Sequence, residues 1–393
     1  MKLLYKDISL VSEEKIAKYR EKLAGYLDHL CEVSLRNNYD DPESSLNLPF
    51  DESLLKSVRD LKEKMVTPQL KYIIDIGIGG SSLGTKAVYD ALFGTFDILL
   101  PKRYPKMIFA DTVDPEFMGK LFHLLKSENL VPEEVLLCVI SKSGVTTETL
   151  ADFETVFSPD LASRVAVITD SDSKLFLSAR ERSFPVLPIP KLVGGRFSIL
   201  SAVGLFPLCA CGVDISALID GAKASRADLE TPLISAAVLY ENWCTGKIIN
   251  NNFFFHPELE SIGKWYRQLM GESLGKKGLG IIPVVSVGST DLHSMGQLYL
   301  GGQNNETTTF VSTQEMGKIM GAILSGVKIA YQKHNLPFIE VVLDDLTPKS
   351  LGEFFQFKMI EMMYLGQLME VNTFDQPNVE SYKIETREIL SKG

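Results

Sequence analysis

The hydrophobic pattern predicts a helix near the start of the chain. From Ser12 to Leu35, apolar residues recur at helical spacing among glutamates and lysines. Ser12 is placed to cap this helix, and Glu13 and Glu14 suit its positively polarised N-terminus. We therefore expect an outer N-terminal helix.

Short apolar runs follow, and they alternate with stretches of helical composition. They lie at residues 72–74, 107–109, 135–140 and 165–168. Strands that are buried on both faces of a parallel sheet have this character, so the alternation predicts a series of β–α–β units. Further runs at residues 281–287 and 338–343, with a helical stretch between them, predict a second and smaller unit of the same kind.

Two more stretches have helical character. Residues 197–213 carry no charge and predict a buried helix. This run falls short of the ~20 apolar residues that are needed to span a bilayer. Residues 351–369 predict a last helix, which leads into a tail with turn character at residues 375–378.

These changes of pattern predict an α/β protein in four parts. The parts are an N-terminal helical segment (residues 1–60), a first and larger subdomain (61–215), a second subdomain (216–350), and a C-terminal helix with a tail (351–393). The length of 393 residues agrees with this division, since ~150 residues per domain predicts two to three domains.

Composition and charge exclude several classes of protein. Charged residues make up 23% and hydrophobic residues 45% of the chain, a globular balance that argues against disorder and against a multi-span membrane protein. The formal net charge of −10 argues against nucleic acid as a partner. Because the N-terminus lacks the apolar core of a secretion signal, we expect a cytoplasmic protein with no membrane partner.

The five cysteines are odd in number and scattered along the chain. Most have apolar neighbours, as buried thiols in a reducing compartment do. Cys209 and Cys211 could bind a metal, but no second pair of Cys or His accompanies them. We therefore expect no metal site.

The motif GIGGSSLG, residues 77–84, directly follows an apolar run. Glycines there let the chain leave a strand tightly and bring backbone amides close to an anion at a helix N-terminus. Ser82 stands where the dinucleotide fingerprint has its third glycine, so the serines favour a phosphate monoester instead. An ordinary strand-to-helix turn is the alternative.

The motif SKSGVTTET, residues 141–149, follows a second apolar run and carries several hydroxyl groups. One or two of them are explained by helix capping. Two such loops at the carboxyl ends of parallel strands are harder to explain without a ligand, because ligands of open α/β sheets bind at that edge. The pair of loops predicts a phosphate-bearing ligand.

Three single residues are candidates for catalysis. Arg196, in GGRFSILSAVG, is placed to stabilise a developing oxyanion, although a structural salt bridge is the alternative. Glu272, in GESLGK, could act as a general base if burial raises its pKa, although most glutamates are simply solvated. His293 follows a strand-like run with Asp291 nearby, and a structural histidine is its alternative.

Taken in order, GIGGSSLG, SKSGVTTET, GGRFSILSAVG, GESLGK, STDLHSMGQ and FDQPNVESYK resemble the successive motifs of the glucose-6-phosphate isomerase family. The resemblance spans about residues 72 to 383. GGRFSILSAVG and the FDQPNVExxK segment are the two signature segments of that family. Finding both of them in order with the others is strongly specific.

The resemblance implies the interconversion of glucose 6-phosphate and fructose 6-phosphate, without metal, nucleotide or other cofactor. Glu272 then moves a proton between C2 and C1 through a cis-enediol intermediate, and Arg196 stabilises the negative charge of that intermediate. His293 and Lys383 resemble the family's ring-opening pair. Gln376 matches a glutamine that contacts the substrate.

The resemblance also implies a phosphate site, a fold and an assembly. The residues that fall where the family holds the phosphate, or in the same loops, are Gly80, Ser81, Ser141, Lys142, Ser143 and Thr146. The family fold has two sugar-isomerase (SIS) subdomains, flavodoxin-like three-layer αβα units with parallel-rich sheets, and a C-terminal tail. Similar enzymes are homodimers whose active site takes its histidine from the partner subunit.

Three departures from the family pattern are visible. The chain is shorter than compact bacterial members, which predicts missing peripheral helices and a trimmed dimer surface. Asn378 stands where the tail signature usually has glycine, and asparagine tolerates a positive φ better than most residues. Val145 takes a position that is often threonine, which removes one possible phosphate donor.

Three alternative functions stay open at this point. An isomerase that also accepts mannose 6-phosphate would differ in pocket shape, which the sequence does not reveal. A SIS-type sensor would bind a sugar phosphate without converting it, but such a binder does not need Glu272, His293 and Lys383 together. A nicotinamide-dependent dehydrogenase is disfavoured by the missing third glycine.

Overall fold

The structure is a computed structural model that describes residues 1–127 and 130–392. The strands are β1 (Lys2–Leu4), β2 (Tyr72–Ile76), β3 (Lys106–Ala110), β4 (Val135–Ile140), β5 (Val165–Thr169), β6 (Val186–Pro188), β7 (Ile249–Phe254), β8 (Ile282–Val287), β9 (Glu306–Thr313) and β10 (Phe338–Leu343). The helices of the first half are α1 (Glu13–Arg36), α2 (Glu52–Met65), α3 (Leu83–Phe93), α4 (Pro115–Ser127), α5 (Thr147–Val156), α6 (Lys174–Glu181) and α7 (Ala202–Ala210). Those of the second half are α8 (Ile215–Ala227), α9 (Glu230–Cys244), α10 (Glu260–Leu274), α11 (Thr290–Ser294), α12 (Gly296–Gly301), α13 (Lys318–Lys333), α14 (Pro348–Met369) and α15 (Val379–Lys392).

The first sheet has the order β3-β2-β4-β5-β6, and all of its strands are parallel. Its centre is built from the apolar runs that the sequence singles out, with Ile74 of β2 in register with Ile108 and Leu137. The predicted series of β–α–β units is confirmed here. Parallel pairing brings the carboxyl ends of the strands to one edge of the sheet.

The second sheet has the order β1-β10-β9-β7-β8. Its four longer strands are parallel, while β1 pairs antiparallel to β10 with Leu3 opposite Val341. The predicted second α/β unit is therefore confirmed. The extra edge strand comes from the first residues of the chain, which precede the predicted helix and for which the pattern predicts no strand.

The central strands β7 and β9 escape the sequence prediction because they carry buried polar residues. The Nδ2 group of Asn250 donates to the Thr307 carbonyl and to the Thr309 hydroxyl, each at 3.1 Å. On the other face of the sheet, the hydroxyl of Ser286 donates to Oδ1 of Asn251 at 2.9 Å. Hydrogen bonds between neighbouring strands thus satisfy Nδ2 of Asn250 and Oδ1 of Asn251, although both residues break the apolar pattern.

Helices cover both faces of each sheet. A large apolar core joins the inner faces of the two sheets to α1–α3, α7–α10 and α14, and the rings of Trp265 and Phe355 meet in it with centroids 4.4 Å apart. A second cluster lies between the first sheet and α4–α6. A third lies between the second sheet and α12 and α13. The result is two three-layer αβα units, as the fold class predicts.

The helix predictions hold with one correction. Helix α1 begins where the pattern places it, and the Ser12 hydroxyl accepts a hydrogen bond from the Lys15 amide at 3.3 Å. The uncharged stretch at residues 197–213 is buried, but its helix covers only Ala202–Ala210. Ser201 caps α7 at its start, and Gly212, with φ +91°, ends the stretch in a turn.

The tail contains a further helix that the pattern does not predict. Helix α15 begins directly after the turn at residues 377–378, and none of its residues is buried. We keep the four-part division of the chain as a proposal. It is supported by the first sheet, which lies within residues 61–215, and by strands β7 to β10, which lie within residues 216–350.

Two expectations drawn from composition can be compared with the structure. Cys138 and Cys211 are buried, but Cys31 and Cys244 are exposed, so the expectation of buried thiols holds only in part. Cys31 lies on the exposed side of α1, and Cys244 is exposed because it is the last residue of α9. No described helix is long and apolar enough to cross a membrane.

Helices α8 and α14 pack closely enough to require glycine at their crossing. A Cβ atom at Gly352 would lie 1.8 Å from the Leu218 carbonyl oxygen, and one at Gly221 would lie 1.8 Å from the Lys349 carbonyl oxygen. Neither backbone oxygen can move without moving its helix. The two glycines therefore set the distance between α8 and α14.

We predict that Gly352→Ala lowers the free energy of unfolding by about 1–3 kcal/mol or more, because overpacking of a fixed contact forces the helices apart. Urea denaturation monitored by circular dichroism measures this change. Gly326→Ala is the matched control, since a Cβ at Gly326 of α13 meets nothing within 4 Å. The control should be neutral or stabilising by up to about 1 kcal/mol, because alanine is the better helix former. Equal stability of the two variants would contradict the packing argument.

Candidate active site

The loops that follow β2 and β6 meet at the carboxyl edge of the first sheet. A Cβ at Gly80 would lie 2.2 Å from the carbonyl carbon of Gly195, so only glycine allows this approach. The Ser198 hydroxyl donates to the Gly80 carbonyl at 3.3 Å and joins the two loops. GIGGSSLG and GGRFSILSAVG, which lie far apart in sequence, therefore form one surface.

The loop after β4 presents hydroxyl groups at the same edge. The hydroxyls of Ser141 and Thr146 lie 2.9 Å apart, and Ser141 also accepts from the Gly144 amide at 3.2 Å. The Ser143 side chain is exposed, and its hydroxyl lies 3.5 Å from that of Thr146. Thr146 is the N-cap residue of α5 but makes no side-chain capping bond, and its hydroxyl is turned to the other hydroxyls of the loop instead.

Two further phosphate-site candidates lie in these loops. Ser81 closes a 3₁₀ turn after β2, where its amide donates to the Ile78 carbonyl at 3.3 Å and its side chain is half-buried. Lys142 is also half-buried, and burial lowers the pKa of its ammonium group. Asp170 opposes this shift, whereas the positive charge of Arg196 lowers the pKa further. Lys142 therefore lies near enough to Arg196 to feel its charge.

Glu272 and Arg196 form the centre of the candidate site. Glu272 lies in the last turn of α10, and its Oε2 is 3.2 Å from Nη1 of Arg196. The Arg196 side chain is only 2% exposed, whereas that of Glu272 is 27% exposed. The carboxylate is therefore held by a buried cation and still reachable by a ligand. Burial lowers the pKa of the Arg196 guanidinium, and Glu272 opposes that shift.

The hydrogen bonds of Arg196 leave one donor unused. Nε donates to the Ser273 hydroxyl at 2.9 Å, and Nη2 donates to the carbonyls of Thr373 and Asp375 at 2.5 and 3.0 Å. Nη1 donates to Glu272. A guanidinium has five N–H groups, so among the described residues one N–H on Nη1 has no partner. This donor lies on the same nitrogen that binds the Glu272 carboxylate.

Gln268 belongs to the site, although the sequence prediction omits it. Its Nε2 donates to Oε1 of Glu272 at 3.0 Å, which fixes the second oxygen of the carboxylate. The same nitrogen lies 2.9 Å from the position of a Cβ at Gly79, a residue with φ +60°. Its position in the sequence could have indicated this role, because Gln268 lies four residues before Glu272 and residues four apart share a face of a helix.

Helix α10 is itself anchored by a buried polar network. The carboxylate of Glu361 on α14 accepts from the hydroxyls of Tyr266 and Ser235, each at 2.5 Å. Lys358 forms an ion pair with Glu361 at 2.9 Å, and both side chains are fully buried. Burial lowers the pKa of Lys358 and Glu361 opposes the shift. Because Tyr266 lies in α10, the network fixes the helix that carries Gln268 and Glu272.

The remaining candidates are not in contact with this centre. His293 lies in α11 with an exposed side chain, and no described residue gives its ring a hydrogen bond or ion pair. Lys383 lies in the exposed helix α15, where its Nζ pairs with Glu380 at 3.0 Å. Gln376 directly follows Asp375, whose carbonyl binds Arg196. A continuous series of hydrogen bonds thus joins Glu272, Arg196 and the segment leading to Gln376. Neither His293 nor Lys383 belongs to this series.

The described residues contain no group of three His, Cys, Asp or Glu side chains that could hold a metal ion. The side chains at the carboxyl edge are instead hydroxyls, amides and cations. Such groups suit a phosphate ester at one end of a ligand. A carboxylate beside a guanidinium suits proton transfer at a carbon whose neighbouring oxygen gains charge.

The chain has an α/β fold that solved structures share. The fold is shared with a hypothetical protein of Thermus thermophilus, at a TM-score of 0.80 and 27% identity, over 96% of this chain and 98% of that one. It is also shared with the crystal structure of a glucose-6-phosphate isomerase from Chlamydia trachomatis, at a TM-score of 0.77 and 22% identity, over 92% and 78% of the two chains.

Sequence comparison specifies the family. The family model for phosphoglucose isomerase matches residues 52–279. The chain is 34% identical to a probable glucose-6-phosphate isomerase of Methanococcus maripaludis, over 81% of this chain and 78% of that protein. It is 30% identical to a glucose-6-phosphate isomerase of Leptospira biflexa, over 88% and 86% of the two chains. The chain belongs to the phosphoglucose isomerase family, as the sequence motifs indicate.

We predict that Gly80→Ala raises KM for the sugar phosphate and lowers kcat. The added Cβ pushes the loop after β2 away from Gly195 and displaces Arg196, and a misplacement of about 1 Å can cost on the order of 10²-fold in rate. Steady-state kinetics with fructose 6-phosphate measures both constants. Gly194→Ala is the control, because a Cβ there would find its nearest neighbour at 3.8 Å. Similar losses in both variants would argue against the close approach at Gly80.

Proposed function

We infer that this protein catalyses the reversible isomerisation of D-glucose 6-phosphate and D-fructose 6-phosphate, a step of glycolysis and gluconeogenesis. Membership of the phosphoglucose isomerase family supports the reaction. The observation that carries the mechanism is the 3.2 Å pair between Glu272 and Arg196, with an unused N–H beside the carboxylate. Base and oxyanion donor are adjacent, as proton transfer next to a carbonyl requires.

In the proposed mechanism, Glu272 removes the C2 proton of the open-chain aldose. The electron pair forms the C1–C2 double bond, and the charge on the former carbonyl oxygen is stabilised by the free N–H of Arg196. Glu272 then returns the proton to C1, while the proton of the C2 hydroxyl passes to O1, so that C2 becomes the ketone and C1 carries a hydroxyl. The hydrogen bond from Gln268 keeps the carboxylate in one orientation during both transfers.

The phosphate group is assigned to the loops after β2 and β4. Gly80 and Ser81 contribute from the first loop, and Ser141, Lys142, Ser143 and Thr146 contribute from the second. Hydroxyl groups, backbone amides and one ammonium supply the donors that a phosphate monoester needs. The 2.9 Å contact between Ser141 and Thr146 supports a common role for the second loop.

Ring opening is assigned to His293 and Lys383, and Gln376 is assigned to substrate contact. These roles rest on the resemblance of the motifs to the family. In this proposal the protein is a cytoplasmic homodimer, and His293 enters the active site of the partner subunit. The exposed position of His293, outside contact with its own Glu272, supports a shared site.

Glu272→Gln tests the base. We predict that turnover of fructose 6-phosphate falls by about 10²- to 10⁴-fold, the contribution of one proton-transfer group, while substrate affinity is retained. A coupled dehydrogenase assay in the presence of a chelator measures the glucose 6-phosphate produced, and titration calorimetry measures binding. Fast turnover by wild type in chelator is expected for a reaction that needs no metal.

Glu260→Gln is the matched control for this test. Glu260 lies in the first turn of the same helix, where it pairs with Lys264 on the surface. Its variant should keep wild-type turnover. Turnover by Glu272→Gln equal to that of the control would remove Glu272 from the mechanism. Binding without turnover in wild type would support the sensor alternative instead.

Mixing two inactive variants tests the shared site. A dimer formed from Glu272→Gln and His293→Ala subunits holds one intact site if His293 acts in the partner's site. Random exchange of subunits in equal amounts should therefore restore about a quarter of wild-type activity, since half of the dimers are mixed. Gel filtration establishes the dimer before the mixing. No recovery in a mixture that exchanges subunits would assign both residues to one chain.

A further inference from the structure

Residues 370–376, the linker between α14 and α15, have no regular structure of their own after Glu370 ends α14. The linker ends at Gln376, and a short turn then connects it to α15, the helix that carries Lys383. A segment without helix or sheet must satisfy its backbone carbonyls through other contacts. The side chains that bind these carbonyls therefore fix the course of the linker.

Lys276 binds the linker at two points. Its side chain is only 7% exposed and forms an ion pair with Oδ1 of Asp375 at 2.8 Å. Its Nζ also donates to the carbonyl of Asn372 and, at 3.2 Å, to that of Ser273 in the last turn of α10. An ammonium has three N–H groups, so these contacts use all of its donors.

Arg196 binds the same stretch of the linker. Its Nη2 donates to the carbonyls of Thr373 and Asp375. The ring of Phe374 packs against Phe197, with centroids 5.4 Å apart. The linker is thus held by one cation from the loop after β6 and by a second cation that directly follows α10. The first of these cations also binds Glu272, but Lys276 does not.

We propose that Lys276 is a positioning residue, which fixes the linker to the C-terminal end of α10 and so sets the place of Gln376 and Lys383 relative to Glu272. This inference rests on the isomerase activity proposed above. Lys276 touches no reacting atom in this role and acts through the backbone. A cation at this place is also favoured by the partial negative charge at the end of α10.

The proposed role separates two steps of the reaction. Glu272 binds Gln268 and Arg196 directly, and Lys276 takes part in neither hydrogen bond. Proton transfer on an open-chain substrate should therefore survive its loss. Ring opening, which is assigned to Lys383 and the partner's histidine, depends on where α15 lies. Loss of Lys276 should harm a cyclic substrate more than an acyclic one.

The test uses Lys276→Met, which keeps the aliphatic stem and removes the three donors. Two substrates are compared, fructose 6-phosphate and its 5-deoxy analogue, which lacks the hydroxyl that closes the ring. Hydrogen exchange of residues 371–392, followed by mass spectrometry, reports the order of the linker independently of activity. Thermal unfolding checks that the variant is folded.

We expect kcat/KM for fructose 6-phosphate to fall on the order of 10²-fold, as for a misplaced catalytic group, with a much smaller change for the deoxy analogue. Exchange in the linker should become faster. Lys276→Arg should recover part of both properties, because it restores charged donors. Lys264→Met is the control, since Lys264 of α10 pairs with Glu260 at 2.8 Å on the surface and, among the described residues, makes no hydrogen bond to the linker.

Equal losses on both substrates, or unchanged exchange in the linker, would overturn the proposal. If Lys276→Met does not fold, Asp375→Asn replaces it, because Asp375 is half exposed and keeps its carbonyl bond to Arg196. That variant should also show faster hydrogen exchange in the linker and a larger loss of kcat/KM for fructose 6-phosphate than for the deoxy analogue. Exchange and kinetics equal to those of wild type would overturn the proposal. Absence of turnover by wild type would refute the proposed activity, whereas the exchange measurement would still test the attachment of the linker.

Discussion

The buried guanidinium of Arg196 is the interaction on which the site depends. A charge in the protein interior costs several kcal/mol unless hydrogen bonds and an opposite charge compensate it. Arg196 finds this compensation in Glu272 and Ser273 of α10 and in the linker after α14. The need to satisfy one cation therefore draws together Glu272, its helix and the start of the tail. The contact between Gly80 and Gly195 brings the loop after β2 to the same point.

The sequence alone predicts most strands and the loops of the site, but not the side-chain contacts that join them. Apolar runs predict β2 to β5, and the glycine and serine motifs predict which loops bind an anion. Strands β7 and β9 are missed because Asn250 and Thr309 satisfy each other across the sheet, a relation that the pattern of a single strand cannot contain. The bond from Arg196 to Glu272 joins residues 76 positions apart and depends on the packing of α10. Gln268 and Lys276 are missed because their roles follow from what they contact rather than from a motif.

The candidate residues fall into two groups that differ in how they are held. Glu272, Arg196 and Gln268 bind one another inside a single chain, and the Tyr266–Glu361 hydrogen bond fixes their helix. His293 and Lys383 lie on short or exposed helices, and within the described part of the chain neither side chain forms a hydrogen bond or ion pair with the centre. The proposed enolisation thus needs one folded chain, while the proposed ring opening needs elements whose places are set by a linker and by a partner. A shared site would couple the two steps through assembly.

The electrostatics of the site explain why a sugar phosphate suits it. The chain carries a net charge of −10, yet Arg196 lies close enough to Lys142 and to Lys276 to lower the pKa of each lysine. Burial lowers the pKa of each of these three cations, and their carboxylate neighbours only oppose that shift. A phosphate dianion would add negative charge beside them and favour their charged forms. The burial that makes these cations costly in the free protein therefore makes an anionic ligand the natural complement of the site, beside the hydroxyl-bearing loops after β2 and β4.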